Sequence, residues 1–111
     1  ATLTSMRIST AGALACLAFA ASAEADATRE RELVRLVRQD CGSCHGMNLT
    51  GGLGLPLTPE ALRDKPFDSL VATVVYGRPG TAMPPWKSII SERDAEWIVR
   101  QLIQGFPLET R

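Results

Sequence analysis

The chain has 111 residues, with 12 basic and 12 acidic side chains and therefore a formal net charge of zero. This length predicts a single domain. The sequence has neither a basic stripe nor an acidic tail, so it does not predict nucleic-acid binding or a disordered charged arm. A domain of this size buries little apolar surface.

The N-terminal stretch, residues 1–25, predicts a secretory signal peptide. Met6 is the expected natural start, preceded by upstream residues 1–5. Arg7 is followed by small and apolar residues that end in two overlapping A-x-A cleavage sites. The run is short and alanine-rich for a membrane span, which needs about 20 apolar residues, so we expect no stable membrane insertion. A retained anchor and a lipoprotein linked through Cys16 are the alternatives.

Cleavage would leave residues 26–111 as the folded domain and place it outside the cytoplasm, in the periplasm. After a polar link, a first helix is predicted from about Thr28 to Asp40. Its apolar positions follow i, i+3, i+4, i+8 spacing; they are Leu33, Leu36, Val37 and Cys41. The other face is charged, which is typical of a solvated surface. The apolar stripe leads this helix directly into the next motif.

Residues Cys41, Cys44 and His45 form a C-x-x-C-H motif, which is typical of c-type haem attachment. In such a site the two thiols add to the porphyrin vinyl groups and the histidine ligates the iron. C-x-x-C alone also occurs in zinc sites and in thioredoxin-like redox pairs. A zinc site needs more ligands than Cys16 can add, and a thioredoxin-like pair needs a βαβ context. We therefore expect one covalently bound haem c per chain.

A glycine-rich loop is predicted at residues 46–57, directly after the motif. Glycine lets the backbone approach a flat porphyrin edge closely, and this explains the composition better than a phosphate-binding loop, which would follow a strand. A short helix should come next. Thr58 is expected to cap it, with Pro59 in its first position, and the helix should end near Asp64.

Two longer helices are predicted in the second half. One should run from Pro66 or Phe67 to Tyr76 and end at Gly77, although its β-branched content also allows a strand. The other should begin at Ser91 with a capping box and end at Gly105. Its expected buried stripe is Ala95, Ile98, Val99, Leu102 and Ile103. Trp97 lies beside that stripe, and the sequence leaves its burial undecided.

An irregular, proline-rich segment between these helices carries Met83. Pro84 and Pro85 exclude regular structure there. A thioether held in a stiff loop is well suited to ligate haem iron, whereas the alternative is a hydrophobic anchor for the loop. Met47 is the rival ligand, but it lies two residues after His45 and can hardly reach the opposite face. We therefore expect His45 and Met83 as the axial pair.

The order of helix, C-x-x-C-H, glycine loop, helices, Met-Pro loop and final helix resembles the class I monohaem cytochromes c over residues 28–106. The resemblance implies an all-α fold in which the N- and C-terminal helices cross beside a covalently bound haem. It also implies that a proline carbonyl accepts a hydrogen bond from the second nitrogen of the ligating histidine. Pro56 matches that position.

Three segments resemble the small periplasmic cytochromes of the NirC type more closely. They are Cys41-Gly-Ser-Cys-His-Gly-Met47, Gly51-Gly-Leu-Gly-Leu-Pro-Leu-Thr-Pro-Glu-Ala-Leu62 and Gly77-Arg-Pro-Gly-Thr-Ala-Met-Pro-Pro-Trp86. This likeness implies a role with cytochrome cd-type nitrite reductase in denitrification. The chain would be either an electron donor to that enzyme or an accessory protein in the insertion and maturation of its d-type haem.

A His/Met haem leaves no open position on the iron, so the sequence predicts a one-electron carrier rather than an enzyme. Redox partners should dock transiently at a small patch formed by the loops around Gly51–Leu55 and Pro84–Trp86. The Trp86 indole and the Arg78 guanidinium are candidates to bind haem propionates. The alternative is an enzyme or gas sensor in which Met83 leaves the iron.

Overall fold

A computed structural model describes residue 2 and residues 10–107. The chain divides into two compact units, Ala1–Glu30 and Arg31–Arg111. Within the described residues all regular structure is helical and no strand occurs. The expected start Met6 and Arg7 lie outside these residues. No helix in this part of the chain is both long and apolar enough to cross a membrane.

Helix α1 spans Thr10–Leu36, so the prediction of a helix beginning near Thr28 after a polar link is wrong. The preceding segment is rich in alanine, the strongest helix former. Hydroxyl groups also fit into this helix, because Thr28 Oγ1 donates to the Glu24 carbonyl at 3.0 Å and Ser22 Oγ donates to the Ala18 carbonyl at 3.1 Å. Helical structure also continues beyond the predicted end at Asp40. A π-helical turn, Val37–Cys41, continues into α2, Gly42–His45.

The next two helices lie close to their predicted bounds. Helix α3 spans Pro59–Leu62 and ends slightly before Asp64, and the Thr58 hydroxyl accepts from the Ala61 N–H at 3.3 Å as its cap. Helix α4 spans Phe67–Tyr76 and ends at Gly77. The predicted helix, rather than the alternative strand, is therefore confirmed.

Helix α5 spans Glu92–Gln104 and begins with the predicted capping box. Ser91 Oγ accepts from the Asp94 N–H and Asp94 Oδ2 accepts from the Ser91 N–H, each at 3.0 Å. Ile103 is 38% exposed, so its assignment to the buried stripe is wrong. Trp97 is half-buried and meets Phe106 edge to face, with ring centroids 6.4 Å apart.

One hydrophobic core joins the helices of the unit Arg31–Arg111. The end of α1 and the π-helical turn contribute Leu33 and Val37, of which Val37 is fully buried. Helix α4 adds Val71 and Val75. The members from α5 are Ala95, Ile98, Val99 and Leu102. The helix before the C-x-x-C-H motif and the last helix therefore share one core.

Arg38 ties the π-helical turn to the segment after α5. Its Nη2 atom donates to the carbonyls of Phe106 and Pro107 at 3.2 and 2.8 Å. Its guanidinium carbon lies 5.3 Å from the centroid of the Phe106 ring, within the range of a cation–π contact. The turn that ends at Cys41 is thus anchored to the C-terminal segment.

Candidate functional site

The three residues of the motif come from the π-helical turn and α2. Cys41 ends the turn, and Cys44 and His45 form the end of α2. The two sulfurs belong to residues three apart, so they lie on the same side of the helical backbone. Ser43 Oγ donates to the Asp40 carbonyl at 2.7 Å, which holds the small residues between the cysteines in helical geometry.

The free thiol of Cys41 is a weak acid in this fold. Burial, and to a smaller extent the charge of Asp40, raise its pKa to about 11. Burial acts in this direction because it disfavours the charged thiolate. The sulfur is therefore protonated at neutral pH until it is bonded to a porphyrin.

The imidazole of His45 is fixed through one of its two nitrogens. Its Nδ1 atom lies 2.6 Å from the carbonyl oxygen of Leu55. That carbonyl accepts only if Nδ1 carries the proton, so Nε2 is left with its lone pair for a metal. Nε2 is therefore the nitrogen that can ligate iron.

The hydrogen bond to His45 corrects the role expected for Pro56. The acceptor is the carbonyl of Leu55 and not that of Pro56. A residue before proline is restricted to extended conformations, so Pro56 fixes the direction of the Leu55 carbonyl instead of offering its own. Pro56 also lines the cavity beside His45.

The loop that carries Met83 is held against the end of α4. The Arg78 N–H donates to the Met83 carbonyl, and the Trp86 N–H donates to the Val74 carbonyl, both at 3.1 Å. Gly77 has φ 69° and ψ −169°, a conformation that is essentially restricted to glycine. A side chain at Gly77 would also come within 2.7 Å of the Met83 carbonyl oxygen. The loop can therefore approach α4 only because this residue is glycine.

Two adjoining cavities, of about 400 and 280 Å³, share His45 and Met83 in their walls. Cys41 and Cys44 line the smaller cavity together with Trp86. The larger cavity has the cations Lys65 and Arg78 in its wall. The structure thus brings the predicted cofactor-binding residues around one pair of cavities. Met47 is 75% exposed and borders neither of the two.

The residues around these cavities fit a c-type haem. The donors are one imidazole nitrogen and one thioether, which are the axial ligands of many cytochromes c. The walls are mainly apolar, as a porphyrin face requires, and include Leu53, Leu57, Leu62 and Leu70. The thiols lie beside one cavity and the two cations beside the other. This arrangement matches a porphyrin, whose vinyl groups and acidic propionates lie at opposite edges.

Two of the contributions at this site were not predicted from the sequence. The acceptor role of Leu55 was assigned to its neighbour, although the Leu55–Pro56 pair was a usable signal because proline orients the carbonyl before it. No local sequence pattern predicts that Lys65 lies at this site. It reaches the cavity wall because the chain between α3 and α4 turns there.

Comparisons with known proteins place the site in context. Residues 28–100 match the family described as cytochrome C oxidase, cbb3-type, subunit III. The chain is 64% identical over 80 residues to cytochrome c55X of Pseudomonas aeruginosa, covering 72% of this chain and 67% of that protein.

Two solved structures are also similar. One is c-type cytochrome NirC, with a TM-score of 0.71 and 62% identity, covering 71% of this chain and 93% of the other. The other is dihydro-heme d1 dehydrogenase NirN in complex with DHE, with a TM-score of 0.61 and 32% identity. That match covers 69% of this chain but only 17% of the dehydrogenase chain.

Proposed function

Because this chain belongs to the c-type cytochromes, in the family described as cytochrome C oxidase, cbb3-type, subunit III, we propose that it carries single electrons on one haem c ligated by His45 and Met83. The observation that carries the proposal is the pairing of two donors. His45 has its Nδ1 atom committed to Leu55 and its Nε2 atom free, and Met83 lines the same two cavities.

Each site residue has a distinct task in this proposal. Cys41 and Cys44 would hold the porphyrin through thioether bonds, and His45 and Met83 would be the two side chains that ligate the iron. When bound, the haem supplies a ferrous/ferric couple. A thioether is a weak donor that favours ferrous iron, so Met83 should give a positive potential. With two protein ligands the iron would have no open position for a substrate, so the proposal is electron transfer and not catalysis at the iron.

Arg78, which lines the larger cavity, is proposed to bind a propionate. Lys65 lies in the same wall and is proposed to do the same. Cations there would neutralise the acid groups of a porphyrin. Trp86 was expected to bind a propionate as well, but it lines the smaller cavity beside Cys41 and Cys44, so it is proposed to contact the porphyrin at the thioether edge instead.

The proposed partner is a cytochrome cd-type nitrite reductase in the periplasm, reached after signal cleavage within residues 1–25. The likeness to a cytochrome named NirC supports this assignment, together with the three segments that resemble NirC-type cytochromes. The docking patch would include the loops Gly51–Leu55 and Pro84–Trp86, which contribute residues to the walls of the two cavities and would therefore border the haem. A small patch beside a redox centre suits brief encounters.

A second candidate function is a role in maturing the d-type haem of that reductase. The observation that favours it is the match to dihydro-heme d1 dehydrogenase. Removal of two hydrogen atoms from a dihydro-haem releases two electrons and two protons; a one-electron carrier could accept the electrons in two steps, and the protons would pass to solvent. The two candidates therefore differ in the direction of electron flow and in the partner.

The test is rapid mixing of the reduced holoprotein with oxidised nitrite reductase. We expect oxidation whose rate rises with reductase concentration, and a Met83→Ala variant should lose most of this donation. A deletion strain should still produce reductase with its full content of d-type haem. Absence of electron transfer, combined with loss of d-type haem in that strain, would favour the maturation role.

A further inference from the structure

Gly54 lies directly against the imidazole of His45. A Cβ atom placed on Gly54 would be 2.7 Å from Nδ1, 2.8 Å from Cε1 and 3.2 Å from Cγ of that ring. Non-bonded carbon atoms attract best at about 3.5–4.0 Å. Any side chain at this position would therefore collide with Nδ1 and Cε1 and be tight against Cγ.

Gly54 cannot easily move away from the ring, because its loop is bonded to the end of α2. The Gly54 N–H donates to the Cys44 carbonyl at 2.7 Å, and the Gly51 N–H donates to the His45 carbonyl at 2.8 Å. Within the loop, the Gly52 N–H donates to the Gly54 carbonyl at 3.0 Å. The first two of these bonds satisfy carbonyls at the end of α2 that would otherwise lack partners.

The same loop also supplies the hydrogen-bond acceptor of the His45 ring. Leu55, the next residue, accepts from His45 Nδ1 at 2.6 Å. A collision at Gly54 would thus displace the ring from its acceptor or break the bonds that place the acceptor. Either change weakens the Nδ1 hydrogen bond. That hydrogen bond, when intact, raises the basicity of a ligating histidine.

We infer that Gly54 is a positioning residue for the iron ligand His45: its missing side chain lets the ring lie flush with the loop and keep its bond to Leu55. The inference rests on the proposed ligation by His45 but not on the proposed partner. Loss of the Nδ1 bond makes the imidazole a poorer electron donor, so ferric iron is less stabilised and the midpoint potential rises.

The test compares Gly54→Ala with Gly105→Ala in the haem-loaded protein. Gly105 is the control because its φ of 97° makes a side chain there costly in backbone strain, whereas a Cβ at that position would meet no atom within 4 Å and would not touch the loop that holds His45. We expect both variants to lose stability, and only Gly54→Ala to raise the midpoint potential and shift the NMR signal of the His45 Nδ1 proton.

Equal shifts in the two variants, or an unchanged potential in Gly54→Ala, would overturn the inference. If Gly54→Ala accumulates without haem, the readout becomes covalent haem content. Loss in Gly54→Ala but not in Gly105→Ala supports the role, and equal loss in both contradicts it. These measurements need no partner protein. A wild-type spectrum without histidine ligation would instead contradict the proposed function itself.

Discussion

The His45 ring is oriented by the Leu55 carbonyl, which accepts from Nδ1, and it fits against the loop because Gly54 has no side chain. Neither contact could be read from the C-x-x-C-H motif alone, because the loop 51–56 must fold back onto α2 to make them. The motif nevertheless identified Cys41, Cys44 and His45, which line the same cavity. The hydrogen-bond acceptor was predicted one residue too late, at Pro56 instead of Leu55. A family resemblance indicates which position in the loop matches, but not which carbonyl faces the imidazole.

At the residue scale, the assignment of Met83 as the sixth ligand predicts a simple contrast. In the reduced state, Met83→Leu should bind carbon monoxide rapidly, because leucine cannot ligate iron and one axial position opens. Met47→Leu should behave like the wild type, since Met47 is 75% exposed and borders neither cavity. Rapid binding by the Met47 variant and none by the Met83 variant would reverse the assignment.

Lys65 gives a second prediction at this scale. Removal of a cation near a propionate should stabilise ferric iron and lower the midpoint potential. Exposed ion pairs contribute about 0.2–1 kcal/mol, and only the part of that energy that differs between ferric and ferrous iron moves the potential, so the fall should stay below roughly 40 mV for one electron. Lys65→Gln should show this fall in voltammetry. Arg63→Gln should not, although it removes the same charge two residues away; an equal fall in both variants would contradict a local contact.

At the scale of elements, the helices with strong end signals were predicted well. Ser91 with Asp94 marked the start of α5, and Gly77 marked the end of α4. The beginning of α1 was missed because an alanine-rich segment is typical of a signal peptide and also forms helix readily. The π-helical turn at Val37–Cys41 was missed because an apolar spacing of three and four residues predicts an ordinary helix.

The junction of α4 and the Met83 loop is the element with the sharpest stability prediction. Gly77→Ala should destabilise the protein, because the backbone strain alone costs about 1–3 kcal/mol and the methyl group adds a collision with the Met83 carbonyl. Urea unfolding of the holoprotein measures the loss. Gly80 also has a positive φ, of 78°, but a Cβ there meets no atom within 4 Å.

Gly80→Ala is therefore the control that carries backbone strain without the collision. We expect it to lose less stability than Gly77→Ala and to keep the methionine-ligated spectrum. A larger loss in Gly80→Ala would show that the close approach of the loop to α4 is not what requires glycine.

For the whole molecule, Arg38 links the haem-bearing turn to the C-terminal segment. Arg38→Gln should remove two hydrogen bonds from a charged donor. Each such bond contributes at most roughly 1.5–3 kcal/mol, because the groups are only partly buried. Thermal unfolding of the holoprotein should show a lower melting temperature. Arg35→Gln, on the exposed side of α1, should leave the melting temperature nearly unchanged. Equal effects of the two substitutions would contradict the anchoring role of Arg38.

The all-helical architecture of the domain could be predicted because its stripes, caps and motif agree with one another. The shared core of α1 and α5 followed from two apolar stripes that both needed covering. What the sequence could not supply were the contacts between distant segments, such as Arg38 with Phe106 or Lys65 with the cavity. Those depend on how the helices pack and not on any local pattern.

The central claim, a haem ligated by His45 and Met83, is tested most directly by the absorption spectrum of the purified oxidised protein. The account predicts a low-spin haem with the weak long-wavelength band of an iron–methionine bond, absent from Met83→Leu and present in Met47→Leu. Covalently bound haem without that band in the wild type would contradict the claim. The sixth position would then be open or filled differently, and binding, sensing or assembly would replace electron transfer as the favoured function.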